Sequence, residues 1–104
     1  MSQVMRDVFR ATSDPTRREI LRLLAEGPRP AGELVRAFEI SQPAISRHLR
    51  VLRDAGLVGT TVSGRERVYA LQPQPLREIY DWVVFYERFW DGRLDALDEF
   101  LSDD

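Results

Sequence analysis

Between Ser41 and Asp54 the chain gathers Ser41, Gln42, Pro43, Ser46, Arg47, His48, Arg50 and Arg53, with a single late acid, Asp54. Hydroxyls, a carboxamide and guanidinium forks at this density are built for hydrogen bonding. They are poorly suited to bond breaking. A guanidinium pairs bidentately with the O6/N7 edge of guanine or with a phosphate, and a glutamine with the N6/N7 edge of adenine. Arg65 and Arg67 add two more forks shortly downstream. Catalysis finds no comparable support. There is no cysteine, His48 is the one histidine, and no glycine-rich phosphate loop is present, so no nucleophile and base can be paired. No catalytic residue, metal ligand set or cofactor is expected.

Apolar spacing indicates the elements that must position these groups. Val4, Met5, Val8, Phe9 and Ala11 recur at helical intervals and give a first helix over about 2–11. Asp14 is suited to N-cap a second helix and Pro15 to open it, with Ile20, Leu21, Leu23 and Leu24 on its buried side. A short third helix opens at Pro30 or Ala31. Ser41 then caps a fourth, in which Ile45, Leu49 and Leu52 at i, i+4 and i+7 must face the core. Pro43, Arg47 and Arg50 fall on the opposite face, flanked by Gln42, Ser46 and Arg53.

Ala55-Gly56 ends the fourth helix, and the runs Leu57–Val62 and Val68–Leu71 around Ser63-Gly64 form a two-stranded hairpin. A last helix from about 76 to 101 follows Pro73 and Pro75. The fold class is mainly α with a small β-hairpin wing: four helices, two strands and a helix. This is the order of a winged helix-turn-helix in one domain over 1–104, with the helix-turn-helix at about 30–55 and the wing at about 57–71.

In that fold the first turn of the fourth helix turns unpaired backbone N–H groups toward a phosphate. Gln42, Ser46 and Arg47 lie early enough to reach base edges. Arg50 and Arg53 fall further along, at phosphate positions, and Arg65 and Arg67 on the wing suit phosphates or a narrow minor groove. Two readings stay open for His48, which borders the core-facing side: an intramolecular hydrogen bond and a contact to the duplex. Asp14, Arg17 and Arg18 read as capping and surface pairing.

Length and charge agree with this reading. A chain of 104 residues buries roughly 60–70% of its unfolded surface around one core. The net charge of −2 conceals a polarity, with twelve Arg against eight acids up to Gln72 and three against nine beyond it. No long apolar N-terminal run or membrane-length stretch occurs, so a cytoplasmic protein without membrane contact is expected.

Four stretches together resemble the arsenic-repressor-like (ArsR/SmtB) family of bacterial winged-helix regulators: Asp14–Leu21, Ser41–Leu49, Leu52–Val58 and Gly64–Tyr69. The resemblance implies a transcriptional regulator, a homodimer formed by the first and last helices that represses from an inverted-repeat operator on double-stranded DNA. Metal-sensing members carry Cys-x-Cys on the third helix, where Val35 and Ala37 stand here, and others place histidines on the last helix, which has none. Beyond Pro75 the chain resembles a metal-free branch of the family with an aromatic last helix, seen here in Phe85–Trp90 and Arg93–Leu97.

Those aromatics also argue for a partner. From Ile79 to Trp90 the apolar side chains spread over roughly 260° of a helix, more than one monomer covers. The expected dimer surface comprises Val4, Val8, Trp82, Phe85, Tyr86, Phe89, Trp90, Leu94 and Leu97, with Gly92 as a point of bending. Two alternatives stay open: an apolar small-molecule effector bound among these aromatics, and a winged helix that contacts only proteins.

Overall fold

The computed structural model of the chain describes residues 1–90 and 101. Helix α1 spans Gln3–Thr12, with the Ser2 hydroxyl accepting from the Met5 N–H at 3.0 Å. Helix α2, Pro15–Leu24, starts on Asp14, whose carboxylate accepts from the Arg17 N–H at 3.0 Å, with Pro15 in the first turn. After α2 come strand β1, Arg29–Pro30, helix α3, Ala31–Ala37, and helix α4, Gln42–Asp54. Strands β2, Val58–Ser63, and β3, Glu66–Leu71, form the wing, and helix α5 begins at Leu76. The mainly helical class with a small hairpin wing is the one observed.

The core is formed by Val8 and Ala11 of α1, Ile20 and Leu24 of α2, Leu34 of α3, Ile45, Leu49 and Leu52 of α4, and Leu57, Val58 and Tyr69 around the wing. Every helix before the wing thus places one apolar stripe against the same cluster. Val8 has no exposed surface at all. It belongs to the monomer core, and its expected place on a dimer surface is corrected accordingly: Met5, Val8 and Ala11, three residues apart, form the inward stripe of α1, which leaves Val4 outside at 46% exposure.

Gly56 joins the recognition segment to the wing. It adopts φ +76°, its N–H donates to the Arg53 carbonyl at 2.9 Å, and the Leu57 N–H donates to the Leu52 carbonyl at 3.0 Å. This pair of bonds is a Schellman motif, and its usual apolar contact is present in the core partners Leu52 and Leu57. At the hairpin tip Ser63 pairs with Glu66, leaving the two-residue loop Gly64-Arg65, with Gly64 at φ +64° and Arg65 not in the positive-φ region. That combination is the glycine-first turn suited to the twist of a hairpin.

Two features differ from the sequence expectation. The sheet has three strands in the order β1-β3-β2, because Arg29 and Pro30 pair antiparallel with Tyr69 and Val68. A two-residue edge strand ending in proline carries no alternation to read. Helix α5 runs only over Leu76–Val84, with a turn at 85–86 and helical backbone again at 87–90. The Tyr86 N–H donates to the Val83 carbonyl and the Phe89 N–H to the Tyr86 carbonyl, both at 2.9 Å, tighter than an α-helical ladder. Two β-branched residues followed by two aromatics, Val83 to Tyr86, are all poor helix formers. Leu94, Leu97 and Gly92 lie outside the described residues.

Replacing Gly56 by alanine should cost about 1–2 kcal/mol, since a Cβ is strained in the left-handed region. The nearest atom to that Cβ, in Pro75, is an ordinary 3.5 Å away, so the loss is conformational and not steric. Urea denaturation of the variant checks it, and a Gly56→Asn variant should recover part of the loss because asparagine tolerates this region better.

Candidate nucleic-acid interface

The Ser41 hydroxyl accepts from the Ala44 N–H at 3.2 Å, which fixes the start of α4 in space. From there Ile45, Leu49 and Leu52 are at most 3% exposed and hold one side of the helix to the core. The other side, carrying Gln42, Pro43, Ser46, Arg47, Arg50 and Arg53, is exposed. Among the described residues, none of these three guanidinium groups, nor those of Arg65 and Arg67, is held in an ion pair. The charges are free for an external anion.

Two concavities border this face. Ser46, Arg50 and Arg53 of α4 and Arg67 of β3 enclose about 210 Å³ above Leu49 and Tyr69, so helix and wing bring three guanidinium-bearing side chains to one hollow. On the other flank a hollow of about 240 Å³ opens between α3 and α4, with Arg36, Gln42 and Ser46 among its lining and Val35 and Ile45 at its base. Ser46 borders both. Arg36 was not singled out in the sequence; its exposed position on α3 is also what a solvated surface arginine would show, and only the packing of α3 on α4 brings it beside Gln42. Arg65 sits alone at the wing tip.

His48 is placed differently from its neighbours. Its side chain is only 21% exposed, and its Nδ1 lies 3.3 Å from Arg17 Nη1 and 3.9 Å from Asp14 Oδ2 on α2. A guanidinium can only donate, so in the neutral ring this contact gives Nδ1 the acceptor's part and Nε2 the proton. Of the two sequence readings, the intramolecular one describes this geometry, and His48 is removed from the residues facing outward. Arg17 itself also donates from Nε to the Ala11 carbonyl at 2.6 Å and from Nη2 to the Arg10 carbonyl at 3.1 Å. Arg18 does likewise for the Thr12 carbonyl at 2.7 Å. These arginines satisfy the orphan carbonyls at the end of α1, where a cation also complements the helix dipole.

The Asp14 carboxyl is held below the ordinary carboxylate range, first by the N–H of Arg17. Desolvation works against this, while the charge of the His48 ring where it is protonated, the charge of Arg17 and the N–H of Thr16 reinforce it. Among the described residues no three His, Cys, Asp or Glu gather as a metal site, and no helix is long and apolar enough to cross a membrane. Val35 and Ala37 offer hydrocarbon where a thiolate pair would be needed.

Residues 14–60 match the family model of bacterial regulatory proteins of the arsR family. Over 90 residues the chain is 40% identical to the transcriptional repressor SdpR of Bacillus subtilis, spanning 86% of this chain and 100% of that one. The chain belongs to the arsR family. It is also 38% identical over 94 residues to the HTH-type transcriptional regulator Rv2034 of Mycobacterium tuberculosis, covering 90% and 85% of the two chains. An ArsR-like transcriptional regulator from Rhodococcus sp. RHA1 superposes with a TM-score of 0.72 at 33% identity, over 93% of this chain and 92% of its own. This arsR-family protein is therefore a DNA-binding transcriptional regulator and not an enzyme.

Removing the Asp14 cap by Asp14→Ala should cost about 1 kcal/mol at neutral pH. Because its folded-state affinity for protons is lowered, the carboxylate stabilises the fold above the ordinary carboxylate range and loses that contribution as pH falls through the lower folded value. The stability gap between parent and variant, read by denaturant titration, should therefore narrow on acidification to about pH 3.

Proposed function

We propose that the protein is a cytoplasmic, dimeric repressor that binds an inverted-repeat operator with α4 in the major groove and the wing on the flanking backbone. The observation that carries this reading is the outward face of α4, where Gln42, Ser46, Arg47, Arg50 and Arg53 are exposed. Gln42, Ser46 and Arg47 stand near the N-terminal end that reads bases in a helix-turn-helix. Arg50, Arg53 and Arg67 meet the phosphate backbone, as does Arg65 from the tip of the hairpin. The direction of control follows that of the Bacillus subtilis relative, a transcriptional repressor. Nothing at Val35 or Ala37 supplies a metal donor, and the response is proposed to be independent of a Cys/His metal site.

A second copy of the chain is the proposed partner of the α1–α5 face. Trp82 stacks edge-to-face on Phe9 and on Tyr86, each at 5.9 Å, yet Trp82, Phe85, Tyr86, Phe89 and Trp90 remain between 39% and 60% exposed. Contiguous apolar surface of this kind marks an interaction site. A two-fold axis through it sets two copies of α4 about one DNA turn, on the order of 34 Å, apart. An apolar small ligand is the competing occupant of the same aromatics. A ligand that shifts both thermal stability and DNA affinity would favour it.

Band-shift titration against the DNA upstream of its own gene, repeated at several salt concentrations, tests the whole reading; affinity that ignores salt and sequence would overturn it. Arg47→Ala should cost about 1–3 kcal/mol on the best operator and blur its preference, whereas Arg65→Ala should weaken all duplexes alike and lower the salt slope by about one. Phe85→Glu, at the most exposed of the five aromatics, should give monomers in sedimentation and with them weak operator binding. A dimer of unchanged strength would remove the α5 face from the interface.

A further inference from the structure

The side chain of Arg17, which projects from α2, touches two further helices at once. Its Nε and Nη2 donate to the last carbonyls of α1, at Ala11 and Arg10, and its Nη1 faces Nδ1 of His48 on α4 at 3.3 Å. Its own backbone N–H is tied to Asp14 at the start of α2. One planar fork therefore spans from the helix that bears Phe9, packed on Trp82 of α5, to the helix that carries the arginine face. His48 lies between Arg47, which points outward, and Leu49, which is buried, so a displacement at His48 is passed directly to both.

We propose that Arg17 is a positioning residue for DNA binding: through His48 it sets the pose of α4 relative to α1. The inference rests on the DNA-binding reading above. Its chemistry is that of acceptor and donor. An imidazole with its proton on Nε2 offers Nδ1 to the guanidinium. The other charged groups around α4 have separate positions. From α1, Asp7 and Arg10 line a hollow with Asp54, and on α3 Glu33 is bonded to Arg29 while Arg36 borders the hollow beside Gln42. Strand β2, Val58–Ser63, brings no titratable side chain.

The test uses the full-length protein and its tightest genomic fragment recovered by selection, well below the melting temperature. Arg17→Met should weaken binding about tenfold with an unchanged salt slope, because no phosphate contact is lost. Arg17→Lys should not rescue it, since an ammonium cannot reach three acceptors as a planar fork does. His48→Ala, which leaves the caps of α1 in place, should give the same loss, and the double variant should be no weaker than either single one. His48→Asn, whose Oδ1 stands where Nδ1 does, should bind as the parent does.

Three results would overturn the proposal. One is a salt slope that falls by about one in Arg17→Met, which would make Arg17 a phosphate contact. A second is a salt slope that falls by about one in His48→Ala, which would make His48 one. The third is a loss of thermal stability with no change of affinity in both His48→Ala and Arg17→Met, which would leave the contact purely structural. Nitrogen-15 shifts of the His48 ring in the free protein should show the Nε2–H tautomer in the parent and a mixture in Arg17→Met. A parent that binds no duplex while keeping that signature overturns the operator reading alone, and a parent ring without it overturns the strut.

Discussion

Burial of Ile45, Leu49 and Leu52 is the interaction on which the interface depends. Each such side chain stabilises the fold by about 1.5–3 kcal/mol when it leaves water, and the three lie on one stripe of one helix. Once that stripe is fixed, the helix cannot rotate about its axis without exposing it. The directions of Gln42, Ser46, Arg47, Arg50 and Arg53 are then determined although none of them contributes to the core. The Schellman turn at Gly56 extends the constraint, because Leu52 and Leu57 pack together and β2 begins at the next residue. Helix and wing are in this way held to the same core, and Arg67 of the wing can share a hollow with Arg50 and Arg53.

A positive face can coexist with an acidic chain because charge acts locally. At physiological ionic strength interactions beyond roughly 8 Å are largely screened, so a duplex at α4 senses the charges near it far more than the net charge of the chain. The nine acids after Pro73 keep the net charge at −2 although twelve of the fifteen arginines precede them. A protein with an exposed arginine face on α4 offers a polyanion that face, whatever its net charge.

What the sequence disclosed, and what it did not, follows from interaction range. The helix starts at Asp14 and Ser41, the stop at Gly56 and the inward stripe of α4 are local, encoded by caps and periodicity within one or two turns. Strand β1 is nonlocal: Arg29 and Pro30 become a strand only because Tyr69 and Val68 lie beside them. The interruption of α5 at residues 85–86 had a local cause in Val83–Tyr86, but a strong apolar period concealed it. Val8 was misplaced for a related reason. Val4 and Val8 both belong to an amphipathic pattern, and only packing separates the one at the edge of the stripe from the one at its centre. On the interface, Gln42 to Arg53 were legible as a face because they share one helix, whereas Arg36 beside Gln42 depends on a helix-helix contact.

His48 illustrates how a motif can misdirect. It stands within a run of outward polar residues, and at 100° per residue it lies between Arg47 and Leu49, so sequence alone leaves its direction open. The deciding group is Arg17, thirty-one positions away. That arginine is drawn to this place by the end of α1, whose terminal carbonyls need donors, and only after that requirement is met is one guanidinium nitrogen left to face the imidazole. The cap of one helix thereby fixes the neighbour of another. With Phe9 packed on Trp82 at the other side of α1, the aromatic face and the arginine face are connected through a single helix whose two ends are both pinned. The two functions proposed for this chain, pairing and reading, therefore share one rigid element.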